Sequence, residues 1–441
     1  MTMFTYYLEL AWRRCRQNVP MVLLVVLTMA IGIASCMTAT TIFAALSGEP
    51  LPGISDHLYV VTMDSRTQSD ANDAAYDTPQ SLLNLRDAKA LVDAHHADSQ
   101  FAQAQSLAQV STTDGKHSDR VIGLLGYGSL LSTLGVPFRY GRPWTEAEQT
   151  AHAPVVVIDA TLAEKLFGTS DAVGRSVTMG TGTFRIIGVT APWKPRMQFL
   201  GLTQNAGNLL GQDMQFYAPV GAALDHGVGP LNTGKCAKSA PVVNFQSTHV
   251  THCRWIEVWV SLDVPARASA YRVFLTHYAQ AQHQAGRFVQ EPKPRLFGTQ
   301  AWMDRLKAIP GDVGLNVVLA GGFLLLCMIN VAGLLAARFL RRQGHVAIRR
   351  ALGASRRHVF MQHLVEAGVL GMAGGVLALP LTWLGLWVVR MQPVAYAAAA
   401  QFSPSVFAIL ASLSLLVGLV VGILPAWRVC RQPPALQIKL A

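Results

Sequence analysis

Apolar positions along this chain follow two kinds of pattern. Four long stretches carry no charge: 32 residues between Arg16 and Glu49, 25 between Asp312 and Arg338, 23 between Glu366 and Arg390, and 37 between Arg390 and Arg428. A bilayer core of about 30 Å takes about 20 apolar helical residues, so each stretch can cross once. Between the first two lie shorter apolar runs bounded by turn residues. There "HLYVVTM" and "WIEVWVSL" read as strands, and "SVTMGTGTFRIIGV" as a hairpin around Gly180 and Gly182. "PVVVIDATLAEKLFG" reads as a buried strand, then a helix capped by Asp159 or Thr161 and stopped at Gly168. "PARASAYRVFLTHYAQAQHQA" predicts a helix opening at Pro265. "LTQNAGNLLGQD" and residues 227–251 are rich in Gly, Asn and Ser and predict loops, as does the acidic run from Asp64 to Asp77. These elements suggest two subdomains built from a discontinuous chain.

Charge turns this pattern into a topology. The chain has 441 residues, 51% hydrophobic and 14% charged, with a net charge of +11. A soluble protein carries about 25% charged residues. From Gly48 to Asp312 there are 22 Lys and Arg against 23 Asp and Glu. The first 18 residues, the 338–366 segment and the tail after Trp427 hold 13 Lys and Arg against Glu9 and Glu366. Short basic segments stay inside, and four spans with a cytoplasmic N-terminus put all three there. The basic character therefore reports topology and excludes nucleic acid as the partner.

The expected fold is an α-helical membrane protein with four transmembrane helices and a large mixed α/β periplasmic domain inserted between helices 1 and 2. The segments are a cytoplasmic amphipathic entry helix (1–18), the first span (19–46), the outer domain (47–312) and the second span (313–337). A cytoplasmic basic segment (338–366), the third span (367–389), a short outer loop (390–403), the fourth span (404–427) and a cytoplasmic tail (428–441) follow. "IASC" at Ile33–Cys36 also resembles a lipoprotein signal. Apolar residues continue past Cys36 to Leu46, which favours a retained helix.

Of six cysteines, Cys236 and Cys253 alone fall in the outer domain, and they form a candidate disulfide in an oxidising compartment. His249 and His252 beside Cys253 permit a metal site as the alternative, although the spacing matches no familiar set, and two free thiols are the plain reading. No metal site is expected. No nucleophile elbow, zinc-protease helix, paired carboxylates or phosphate-cradling loop occurs in the sequence, so no catalytic residue is expected and any ATP and Mg would be bound by a partner. Gly371, Gly375, Gly418 and Gly422 permit close helix approach, between subunits or within one. The runs that define the spans hold no internal charge, so no polar conduction path has an evident lining.

Seven arginines fall between Arg338 and Arg357. The stretch "CMINVAGLLAARFLRRQGHVAIRRALGASRRHVFMQHLVEAGVLGMAGGVLAL" resembles the second-to-third helix region of the MacB/FtsX-type ABC transporter permeases. "LELAWRRCRQNVPMVLLVVLTMAIGIA" is similar to that family's entry and first helix. "LGVPFRYGRPWTEAE" and "APVVVIDATLAEKLFGTSDAVGRSVTMGTGTFRIIGV" are similar to its periplasmic core domain, and "GILPAWRVCRQPPALQIKL" to its C-terminal end.

The resemblance implies an inner-membrane permease subunit that works as a homodimer or paralogous heterodimer with a cytoplasmic ABC ATPase. A periplasmic adaptor would be a further partner. ATP-driven closure would move the periplasmic domains without passing substrate through the helices, and the substrate class would be hydrophobic, peptidic or lipidated. The ATPase-coupling residues would be His345, Val346, Ile348, Arg349, Arg350, Ala351, Leu352, Gly353 and Ser355. Val346, Ile348, Ala351 and Leu352 would pack into a partner groove, Gly353 would end the short coupling helix and Ser355 would cap the next. Arginines would meet lipid headgroups and acidic rims on the partner. An orientation-setting loop is the plain reading of the same residues. His345 stands where the family commonly has an acidic residue. Two other functions share the four-helix plan: signalling to a periplasmic cell-wall enzyme, and lipoprotein release.

Overall fold

The computed structural model describes residues 19–66, 81–193, 195, 199–201, 213–231, 253–289, 291–309, 311–340, 355–392 and 404–431. The entry helix expected over 1–18, most of the acidic run, Cys236, His249, His252, most of the 390–403 loop and the end of the tail lie outside them. Two compact units form, one from 1–47 with 310–441, the other from Gly48 to Ile309.

Helix α1 (Val19–Ser47) opens the described chain. In the second unit, β1 (Leu58–Thr62), β2 (Leu82–Leu83) and helix α2 (Leu85–Asp93) precede the long strands β3 (Ser99–Thr112) and β4 (Ser118–Gly128). Next come β5 (Phe138–Gly141), β6 (Val155–Asp159), helix α3 (Ala160–Phe167), β7 (Ser176–Met179) and β8 (Gly182–Thr190). The unit ends with β9 (Phe216–Pro219), β10 (Ile256–Ser261), helix α4 (Pro265–Gln284) and β11 (Arg295–Gly298). Among the described residues, eleven strands join one mixed sheet in the order β11-β1-β10-β3-β4-β9-β6-β8-β5, with β2 on β10 and β7 on β3 and β8. The regions read from sequence as separate subdomains share it: β3 pairs with β10 at one end and with β7 at the other.

Local chemistry sets several element boundaries. Asp159 accepts a hydrogen bond from the Leu162 amide at 2.8 Å and caps α3, and Gly168 ends that helix at φ 69°, a left-handed conformation that glycine adopts without strain. Strands covered on both faces read as continuous apolar runs rather than alternating ones. In β6, Val155 and Val157 belong to one core cluster, which also holds Trp259 and Trp302, while Val156 and Ile158 belong to the other, which holds Leu162 of α3 and Leu275 of α4.

Two buried carboxylates tie distant parts of this unit together. Glu257 on β10 accepts from Ser81 Oγ (3.1 Å), Gln103 Nε2 (2.8 Å) and the Gly201 amide (3.3 Å). Asp87 on α2 accepts from Tyr278 Oη on α4 and from the Arg287 guanidinium, each at 2.7 Å. Burial, with the Asp87 carboxylate beside it, pushes the Tyr278 phenol up from its ordinary value.

In the first unit, α1 packs with α5 (Gly311–Leu340) and α6 (Arg356–Met391), and α6 with α7 (Pro404–Arg431). Among the described residues three helices, Val19–Ser47, Gly311–Phe339 and Arg357–Met391, are long and apolar enough to cross a membrane. In α7 (Pro404–Arg431) the apolar stretch among the described residues is Ser412–Ile423. The hydroxyls of Thr28, Thr38, Thr40 and Thr41 on α1 donate to carbonyls one turn back, which satisfies them inside an apolar helix.

The helices meet at glycine. A Cβ on Gly371 of α6 would stand 2.7 Å from Gly418 Cα of α7, and one on Gly418 would stand 2.8 Å from Gly371 Cα. A Cβ on Gly375 would stand 2.4 Å from Ser414, and one on Gly422 would stand 2.3 Å from Ala367 Cβ. Gly32 of α1 faces Cys327 of α5, and Gly385 of α6 faces Thr38 of α1. We expect Gly371→Leu to destabilise the detergent-solubilised protein by about 1–3 kcal/mol through overpacking. Gly322→Leu, at a position with nothing within 4 Å, should change stability little, and equal losses in SDS-titration unfolding would refute the α6–α7 contact.

Candidate functional site

The site lies at the two stems of the basic segment, α5 and α6. His345, Val346, Ile348, Arg349, Arg350, Ala351, Leu352 and Gly353 lie outside the described residues. Ser355 is the N-cap of α6, its side chain accepting from the His358 amide at 3.4 Å. The helix therefore starts well before the apolar run at 367–389 and carries His363 and Glu366 within it.

Arg338 occupies the last turn of α5. Its Nη2 lies 2.9 Å from Glu366 Oε1, with both side chains only 2% exposed. His363 sits one turn before Glu366 on the same face of α6, with Nδ1 3.9 Å from Glu366 Oε2. Its ring packs on Phe339 with centroids 4.2 Å apart. Consecutive residues at the end of α5 thus engage an i,i+3 pair on α6.

This corrects one reading from sequence. Arg338 counts there among arginines facing lipid headgroups or a partner, yet it is buried against Glu366 inside the chain. Neither Glu366 nor His363 figures among the sequence candidates. The available signal was one of charge: Arg338 and Glu366 carry opposite charges at the two edges of the basic segment.

A second feature of this unit is a cavity of about 750 Å³ among α1, α5 and α6. Its wall is mostly apolar, with Ile42, Phe323 and Leu384, and carries polar groups at Ser35, Thr38 and Asn316. In the other unit Cys253 is buried and disulfide-bonded. Cys36 and Cys327 are free. Among the described residues no group of three or more His, Cys, Asp or Glu could hold a metal ion.

Comparison with known families decides the class. Residues 22–269 match the MacB-like periplasmic core domain, and residues 317–434 match the FtsX-like permease C-terminal region. The chain belongs to the MacB/FtsX-type ABC transporter permeases.

Among its relatives, the macrolide export ATP-binding/permease protein MacB of Agrobacterium fabrum is 23% identical over 414 residues, 93% of this chain and 57% of that protein. MacB of Wolinella succinogenes is 22% identical over 447 residues, 98% of this chain and 60% of that one. The pyoverdine export ATP-binding/permease protein PvdT of Pseudomonas aeruginosa is 24% identical over 304 residues, 68% of this chain and 39% of that protein. The chain thus spans 60% or less of the length of these relatives. The periplasmic region of MacB from Actinobacillus actinomycetemcomitans aligns with 60% of this chain and 99% of that one, at 15% identity and a TM-score of 0.37.

In this permease, a buried ion pair that loses one partner leaves an uncompensated charge, at a cost of about 3–5 kcal/mol, whereas replacing both partners with apolar groups is often neutral. Glu366→Ala should therefore destabilise by that amount, and Arg338→Met/Glu366→Met should stay close to the parent. Equal stability of all three proteins in SDS titration would show that the two charges are solvated rather than paired.

Proposed function

We propose that this chain is the permease subunit of an ATP-driven exporter in the bacterial inner membrane, coupling a cytoplasmic ATPase to motion of the 48–309 unit. Four helices span the membrane, α7 among them, and both termini are cytoplasmic. Two permease subunits assemble, as a homodimer or a paralogous heterodimer, and the ATPase holds ATP and Mg. A periplasmic adaptor joins them outside. The exported substrate is hydrophobic, peptidic or lipidated and leaves from the periplasmic side.

One observation carries this reading: the core-domain and permease matches follow one another along the same chain, over residues 22–269 and 317–434. The relatives' names supply the direction of transport, since both MacB and PvdT are export proteins. The sequence adds the docking element. Residues 345–353 form a short amphipathic coupling helix whose apolar residues Val346, Ile348, Ala351 and Leu352 enter a groove on the ATPase, while Arg349 and Arg350 meet its rim. Gly353 ends that helix, and Ser355 starts α6. The disulfide of Cys253 closes onto Cys236.

Two experiments test it. Purification of the detergent-solubilised protein should bring down an ATPase in stoichiometric amount, and aspartate at both Ile348 and Leu352 should release it. An ATPase retained by that variant would remove the coupling-helix assignment. Alkaline phosphatase fused after residue 395 should be active and fused after residue 441 inactive; activity at 441 would mean three spans.

A further inference from the structure

The contacts at the ends of α5 and α6 have a particular arrangement. The last described residue of α5 is Leu340, and α6 begins at Arg356. Arg338 and Phe339, near the described end of α5, engage Glu366 and His363 on α6. Each stem therefore contributes one charged group and one ring. Phe339 is 1% exposed, as is His363, so the ion pair and the ring contact lie side by side out of solvent.

Such a double contact has a mechanical consequence. Two helices joined only by a loop can splay when the loop is pushed, and the displacement is then lost between them. A buried ion pair resists separation strongly, because parting the charges exposes each to a medium of low dielectric without its counter-ion. Rings packed beside the pair resist sliding of one helix along the other. A push on the intervening residues then reaches both stems together.

We propose that Arg338, Phe339, His363 and Glu366 form a transmission clamp, a set of positioning residues that makes the stems of the 341–354 segment move as one body when an ATPase acts on that segment. The inference rests on the coupling reading given under Proposed function. It adds that association with the ATPase and transmission of its stroke use different residues. The 341–354 segment governs association, and the clamp governs transmission.

The test measures three quantities on the full chain with its co-purified ATPase: the molar ratio of the two proteins, and kcat and KM for ATP hydrolysis. Glu366→Gln and Arg338→Met/Glu366→Met should keep the molar ratio and hold KM within about twofold, while kcat falls about tenfold or more. Arg338→Lys, which keeps the positive charge opposite Glu366, should hold kcat within about threefold of the parent. The double methionine variant keeps the test decisive if Glu366→Gln fails to fold, because apolar replacement of both partners preserves packing.

A folded double variant with kcat within about twofold of the parent overturns the clamp, since the pair is then a packing element alone. A loss in Arg338→Lys as deep as in the double variant overturns it as well. Failure of the parent chain to bring down any ATPase overturns the coupling reading and this inference with it. Failure of the clamp alone leaves co-purification intact, so the two are distinguishable.

Discussion

Helices that face lipid lie in a solvent as apolar as their own side chains, so exclusion of water gives them no reason to associate. Close contact must do that work, and in this chain glycine permits it. Gly371 and Gly418 let α6 and α7 cross with backbone against backbone, and Ser414 and Ala367 fill the adjacent turns. Gly32 and Gly385 serve α1 in the same way, against α5 and α6. Dispersion between closely matched surfaces is weak per atom and large in sum. The arrangement of α1, α5 and α6, and with it the alignment of Arg338 with Glu366, depends on those small residues.

The ion pair adds a different kind of constraint. Charges at 2% exposure are costly to part and costly to leave single. Glycine crossings hold helices close but resist sliding weakly, since small residues offer little relief along the axis. A charged pair beside packed rings supplies the missing register at the end next to the basic segment. Packing and register are thus divided between two chemistries on α5, α6 and α7.

The unit from Gly48 to Ile309 is governed by water instead. Its sheet is covered on both faces, and the tryptophans Trp255, Trp259 and Trp302 are buried almost completely. Large apolar area removed from water stabilises such a core at about 25 cal/mol per Å². The buried carboxylates Glu257 and Asp87 are tolerated because each collects donors from separate segments of the chain. Those donors also define which loops lie against the sheet, so polar satisfaction here specifies connectivity.

What the sequence by itself determined was local or periodic. Hydropathy marked the apolar stretches that became α1, α5 and α6, since a bilayer demands length and apolarity of each helix alone. Asp159, Gly168 and Ser355 announced helix ends, because a cap acts within a few residues of itself. Quoted motifs carried the family. Tertiary structure alone decided what lies far apart in sequence. It joined the strands expected in two subdomains into one sheet through β3. It also gave each small residue its partner, with Gly371 against Gly418 and Gly422 against Ala367. Most consequentially, it turned Arg338 inward to Glu366. An arginine at the edge of a basic segment satisfies the same local chemistry whether it meets lipid, a partner or its own chain, and only the packing of α5 on α6 selects among them.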